Sequence, residues 1–304
     1  MNDIDPQDFK IEYQTAGKTR YVAITGYKGS LGEIALPESI NNLPVSAVGE
    51  FAFKRYSALR TIVFPESLTA IGEYAFEKCT GLTSLAFPEG LKSIKKSAFA
   101  GCGGLKSIVF PNSLESIGES AFSGCMGLAS VSIPAGLTAL GERAFDGCGR
   151  IAEFIVDEEN PQFSSIEGLL FDKTGSILIW YPRGRQDTKY SIPLQTAYIG
   201  DWAFEGCIRL KSISLPERLI AIGHYGFAGC GISDLRFPEG LTLIKNHAFY
   251  RCVRITKLVL PASLSAIGEY AFGDCTNLET VTLSRHTKIG HGAFYGAPVQ
   301  LNYR

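Results

Sequence analysis

Hydrophobic and polar residues alternate in short bursts along this chain, and the bursts recur at a fixed interval. In residues 82–87, LTSLAF, the apolar Leu85 and Phe87 point one way while Ser84 and Ala86 point the other. That period of two predicts a short, half-buried strand. Pro88 ends it, because proline has no amide proton to give a ladder. Leu91 and Ile94 bring the chain back inward. Residues 72–76, GEYAF, predict a tight turn of helical or 3₁₀ type that closes near Cys79, with Gly72 at the corner. An Ala-Phe pair then recurs at Phe53, Phe76, Phe99, Phe122, Phe145, Phe204, Phe227, Phe249, Phe272 and Phe294, with Gly226 once replacing the alanine. Successive gaps are 23, 23, 23, 23, 59, 23, 22, 23 and 22 residues. Cysteines follow three residues behind every such Phe except the first and last, which accounts for all eight. Proline keeps the same register at Pro65, Pro88, Pro111, Pro134, Pro216, Pro238 and Pro261.

A unit of this size cannot bury its own apolar face, but stacked copies share a continuous core. Adjacent strands would pair at roughly 4.8 Å, so ten or eleven coils predict a body about 50 Å long. A linear core also removes the size limit that would otherwise divide 304 residues into two domains. The pattern divides the chain into four segments. Residues 1–45 predict an N-terminal β cap, in which 21–27 pairs with 34–37 across a glycine-containing turn. Residues 46–148 are repeats. Residues 149–198 hold an interruption, with a β-hairpin over 168–182 turning at Asp172-Lys173-Thr174-Gly175. Residues 199–304 resume the repeats and end in a degenerate cap, where Ser284 replaces proline and Ala297 replaces cysteine.

The unit L-x-x-I-x-F-P-x-x-L-x-x-I-G-x-x-A-F-x-x-C, in ten in-register copies over roughly residues 20–297, resembles the BspA-like (Treponema-type) leucine-rich repeat family. The resemblance implies a right-handed leucine-rich repeat solenoid: a curved, strand-rich, mixed α/β stack of ~23-residue coils with N- and C-terminal caps. The asparagine that follows the strand in better-known leucine-rich repeats is missing here, so helix-backed horseshoe geometry does not carry over. The resemblance further implies a surface or secreted protein of a host-associated microbe, of the adhesin type that binds host matrix or other cells. The interruption is similar to an "IDG-L…DK-G-L-YYP" excursion of the family.

Charge and composition narrow the function. Lys plus Arg total 29 against 30 for Asp plus Glu, a formal net charge of −1, which withholds the basic footprint of a nucleic-acid binder. An apolar fraction of 45% excludes wholesale disorder. No apolar run approaches the ~18 residues of a transmembrane segment. The opening residues 1–6, MNDIDP, predict no secretory leader in the sequence as it stands. All eight cysteines occupy one repeat position, which predicts a ladder of free, buried thiols with parallel side chains and no disulfides. A 23-residue period offers no metal-ligand spacing, so no metal or cofactor is expected. His224 and His291 stand where other coils carry Glu73, Glu119, Glu142 and Glu269, and read as exposed repeat variation. Asp157-Glu158-Glu159 before Asn160-Pro161 reads as a solvated turn. No G-x-S-x-G elbow and no phosphate loop occurs, so the chain is not expected to be an enzyme.

Binding candidates fall in two places. The outward strand positions are small and uncharged at first (Thr61/Val63, Ser84/Ala86, Ser107/Val109, Ser130/Ser132, then Ser212/Ser214) and become charged at Asp234, Arg236 and Lys257. A flat strip of this kind can dock an extended partner. Near the interruption, Trp180, Tyr181 and Trp202, with Arg183 and Arg185 beside them, are residue types that anchor interfaces. The expected function is non-catalytic protein binding. Its partner would be a host extracellular-matrix or cell-surface protein, or one on a neighbouring cell; the alternative is an intracellular or periplasmic scaffold. An exposed solenoid edge or the aromatic hairpin also offers a route to self-association.

Overall fold

The computed structural model describes residues 5–304; residues 1–4, which carry part of the leader reading and the start of the expected cap, lie outside the described residues. The chain forms a β-solenoid of about twelve turns with ~23-residue repeats, in two compact units, Met1–Gln162 and Phe163–Arg304. Among the described residues the only helical element is a 3₁₀ turn at Pro6–Asp8.

Every regular coil has three hydrogen-bonded sides. The first is the strand read from the sequence: Ser84–Ala86 buries Leu85 and exposes its neighbours, as do Thr61–Val63 and Lys257–Val259. The second is a two-residue strand such as Ser93–Ile94, which the sequence showed only as a return inward. These short strands build the larger sheet in each unit, eight parallel-stacked or hairpin-linked strands, whereas the three-residue strands form separate sheets of two or three. In the second unit the latter sheet joins Lys189–Ser191, Ser212–Ser214 and Asp234–Arg236, and a separate one joins Lys257–Val259, Thr280–Leu283 and Gln300–Tyr303.

The third side corrects the helical expectation. Residues two before and two after the repeated Phe have positive φ, as at Tyr74 (55°), Lys78 (61°), Ser97 (52°) and Gly101 (74°). Left-handed residues at every fourth position prevent a helix from forming. They let alternate amides point along the stack. Tyr74, Phe76 and Lys78 donate to the carbonyls of Lys96, Ala98 and Ala100 in the next coil, at 3.0, 2.7 and 2.7 Å. Ala75, Glu77 and Cys79 close inside the turn on Gly72, Tyr74 and Phe76. Neither set of amides is left without an acceptor, as a buried backbone demands.

The repeated Phe side chains form the core. In the first unit Phe53, Phe76, Phe99, Phe122 and Phe145 stack at centroid spacings of 5.0, 4.9, 5.2 and 5.5 Å. In the second, Tyr181 begins a ladder that continues through Phe204, Phe227, Phe249, Phe272 and Phe294.

Two other expectations fail. Thr19–Tyr27 does not pair with 34–37; it pairs antiparallel with Phe9–Ala16 and parallel with Leu43–Val48. Glu33–Ala35 pairs instead with Thr61–Val63, because Ile34-Ala35-Leu36-Pro37 is already a repeat strand that matches Ile62-Val63-Phe64-Pro65. Nor is Asn160 in a solvated turn. It is fully buried, and its carboxamide donates to the carbonyls of Pro134 and Leu137 at 2.7 and 2.9 Å while accepting from the Gln162 amide. Asn160→Ala would strip donors from two buried carbonyls, and a loss of about 2–3 kcal/mol is expected in urea unfolding. A change below about 0.5 kcal/mol would mean that the two carbonyls do not depend on it.

Residues 163–180 form three antiparallel strands. Leu169–Asp172 and Ile177–Trp180 form the expected hairpin, and Phe163–Ile166 adds a third antiparallel strand. Asp172 fixes the turn by accepting from the Ile177 amide and the Thr174 and Ser176 hydroxyls. Burial opposes its charge, but those hydrogen bonds prevail and hold the carboxyl below its ordinary pKa. Ile177–Trp180 then pairs parallel with Tyr198–Ile199, so the hairpin feeds directly into the ladder of short strands.

Candidate functional site

The sequence candidates separate into three environments. On the strand side of the second unit, Ser212, Ser214, Asp234, Arg236 and Lys257 lie on three consecutive coils. Ser214, Asp234, Arg236 and Lys257 are exposed and Ser212 is half-buried. Two adjoining recesses lie among them. The first, about 340 Å³, spans Ser212–Ser214 and Asp234–Arg236. The second, about 460 Å³, lies between Asp234–Arg236 and Lys257–Val259 and reaches Phe237, Leu260 and Arg304. It sits where the strand ladder is not continued, since the sheet of Asp234–Arg236 ends there and that of Lys257–Val259 begins. The coil entering at this point is also one residue short, with eight residues from Cys230 to Pro238 against nine from Cys207 to Pro216.

The second environment holds Tyr181 buried and Arg185 and Asp187 half-buried, and corrects the reading of Tyr181 as a surface anchor. Tyr181 is 3% exposed, and its ring stacks on Phe204 at 4.9 Å. Its hydroxyl donates to Asp187 at 2.7 Å, and Arg185 donates to the same carboxylate at 2.6 Å while another guanidinium nitrogen reaches the Glu167 carbonyl. The guanidinium also lies over the rings of Tyr181 and Tyr190. Burial and the neighbouring Asp187 raise the Tyr181 pKa, so the phenol stays a donor. Asp187 is pulled the other way: desolvation opposes ionisation, but the bonds from Arg185 and Tyr181 hold it charged. This network closes the start of the Phe ladder.

The third environment is the turn side. Trp202 has φ 57° and stacks on Tyr225, which stacks on His247, which stacks on Tyr270, at 6.1, 4.6 and 5.4 Å. Sequence reading missed this row, although its members all stand two residues before a repeated Phe. His247 loses basicity by burial in the stack, with Glu269 opposing and His224 reinforcing the shift. Arg183 bonds Glu205 at 3.0 Å on adjacent coils. Trp180 ends the hairpin strand and is half-buried. The structure therefore brings the strand residues together and places Trp202 and Arg183 on the turn ladder.

All eight cysteines are buried and free, as the repeat position implied. Seven thiols donate to the carbonyl of the Phe or its equivalent one coil back, at distances from 2.9 Å at Cys230 to 3.3 Å at Cys125. Desolvation pushes Cys79 and Cys275 up to about 12, and raises Cys102 and Cys252 as well. No helix is long and apolar enough to cross a membrane among the described residues.

A search of curated proteins returned no match. Among solved structures, the chain resembles the pneumococcal vaccine antigen PcpA with a TM-score of 0.79 and 23% identity, covering 99% of this chain and 87% of that one. A leucine-rich cell surface protein from Faecalibacterium prausnitzii gives 0.69 and 23%, covering 96% and 94%. A leucine-rich repeat protein from T. pallidum gives 0.53 and 28%, covering 76% and 90%. Residues 46–177 and 186–300 match the BspA type leucine rich repeat region, and the chain belongs to that family.

Proposed function

We propose that this chain is a non-catalytic binding solenoid that receives a protein partner on the strand side of its second unit. The observation that carries the reading is the pair of recesses walled by exposed Asp234, Arg236 and Lys257, side chains that form no ion pair with one another or with neighbours among the described residues. Other coils carry a single outward charge on this side, at Glu33, Glu153 and Lys189, whereas Asp234, Arg236 and Lys257 gather three on two adjacent coils. The likeness to a bacterial cell surface protein and to a pneumococcal antigen favours an adhesin-like contact with host or neighbouring-cell proteins. The scaffold alternative places the same face inside the cell envelope or cytoplasm. Protease added to intact source cells separates the two, since only an outward-facing chain is cut before lysis.

Substitution tests the face itself. Ser214→Trp adds bulk to an outward position without touching the core, and is expected to weaken binding to a partner drawn from an array of purified matrix and cell-surface proteins by at least about tenfold. The thermal midpoint should stay within about 2 °C. Trp202→Ala is the counter-test. If it abolishes binding while Ser214→Trp does not, the partner uses the turn side and the proposed face is wrong.

A further inference from the structure

We infer that the larger recess selects an acidic polypeptide segment, a conclusion that rests on the strand-side reading above and adds the chemistry of the partner. Three cations, Arg236, Lys257 and Arg304, line a single recess of about 460 Å³, against two carboxylates, Asp234 and Glu239. The five side chains leave one net positive charge, and no ion pair joins any of them. Glu239 accepts from the Ala262 amide at 3.2 Å, and the guanidinium of Arg304 donates to the Leu260 carbonyl at 2.7 Å. Arg236 and Lys257 are left exposed with their full donor sets on offer. A carboxylate can take two parallel bonds from Arg236 and a point-charge contact from Lys257.

Asp234 decides against a uniform polyanion. It lies on the same strand as Arg236, two residues away, and so faces outward beside it. A nucleic acid or sulfated glycan carries negative charge at every step and would meet this carboxylate as well as the cations. A polypeptide with acidic residues separated by neutral or basic ones can place its carboxylates on Arg236 and Lys257 and leave Asp234 unopposed or paired.

The test uses the full chain and fluorescein-labelled peptides of about twelve residues with repeating Glu-Ser, Lys-Ser or Gly-Ser, together with a heparin oligosaccharide, in fluorescence anisotropy at about 20 and 200 mM salt. The Glu-Ser peptide is expected to bind at low salt and to weaken at high salt, and the other two peptides are not expected to bind. Arg236→Glu and Lys257→Glu should each weaken the Glu-Ser complex about tenfold, while Asp234→Asn should tighten it. All three positions are exposed on a strand, and circular dichroism checks that each variant keeps its fold. Failure of the Glu-Ser peptide to bind, indifference to Arg236→Glu, or tighter binding of heparin than of any peptide would each overturn the inference. If the acidic preference fails while Ser214→Trp still abolishes capture of the array partner, only the chemistry of the partner is wrong. If Ser214→Trp is also silent, the face falls with it.

Discussion

Between about pH 9 and pH 11 the protein is expected to lose its fold while its thiols become reactive. Cys79 in the first unit and Cys275 in the second have pKa values pushed from 9.0 to about 12, first by burial. Such a group holds its proton more tightly in the folded state. Its contribution to stability is therefore intact below the unfolded pKa, near 9, and drains away as the pH climbs towards 12. Each thiol loses about 1.4 kcal/mol per pH unit across that window, so these two alone account for about 4 kcal/mol at pH 10.5. Cys102, Cys125, Cys230 and Cys252 shift in the same direction. Domains are stable by only about 5–15 kcal/mol in total. Far-UV circular dichroism and iodoacetamide labelling, followed together, should show no labelling at pH 8 and coincident transitions above 9. Full labelling of a native spectrum at pH 8 would show the thiols to be accessible and sink the argument.

Phe99→Ala carries the second large effect. Phe99 is fully buried, stacks on Phe76 at 4.9 Å and Phe122 at 5.2 Å, and meets Phe87 edge-on at 5.8 Å. Truncation should cost about 3–5 kcal/mol from lost burial and the cavity left behind. Because coils in a solenoid are held mainly by their neighbours, removing an interior rung weakens contacts to both adjacent coils. Phe53→Ala, at the end of the ladder, should cost less: its outer neighbour is Tyr27, tilted at 6.2 Å. Urea unfolding of the two variants is the measurement. Equal losses for the interior and terminal rungs would refute the nearest-neighbour account.

The register of Phe, Cys and Pro made the coil, the inward strand residues and the thiol ladder legible, because each depends only on period and side-chain size. The turn was harder. Its left-handed residues include Tyr74, Lys78 and Trp202, types that carry no conformational label; the glycines at 101, 124, 147, 206 and 229 marked only the position of Lys78, two residues after the Phe. Asn160 was misread because the acidic residues before it are those of a solvated turn, and only the coil behind it supplies the carbonyls it satisfies. Tyr181 was read as a surface anchor, yet it stands 23 residues before Phe204, the interval that identifies a ladder rung. The strand-side residues were legible as outward-facing from alternation. The recess between Asp234–Arg236 and Lys257–Val259 was not, since its walls come from two coils and from Arg304 at the far end of the unit, which one strand's sequence does not encode.

The three hydrogen-bonded sides have a mechanical consequence. Within either unit the inter-coil bonds of the strands and the turn ladder run along the stack, so tension applied at the outermost coil loads that coil's bonds before any other's. The unit would yield by peeling. Each coil freed would release some 23 residues of extended chain, lengthening the molecule by about 75 Å once the lost rung spacing is subtracted. A protein built this way gives under pulling in whole turns, and the turns still wound keep their surfaces intact.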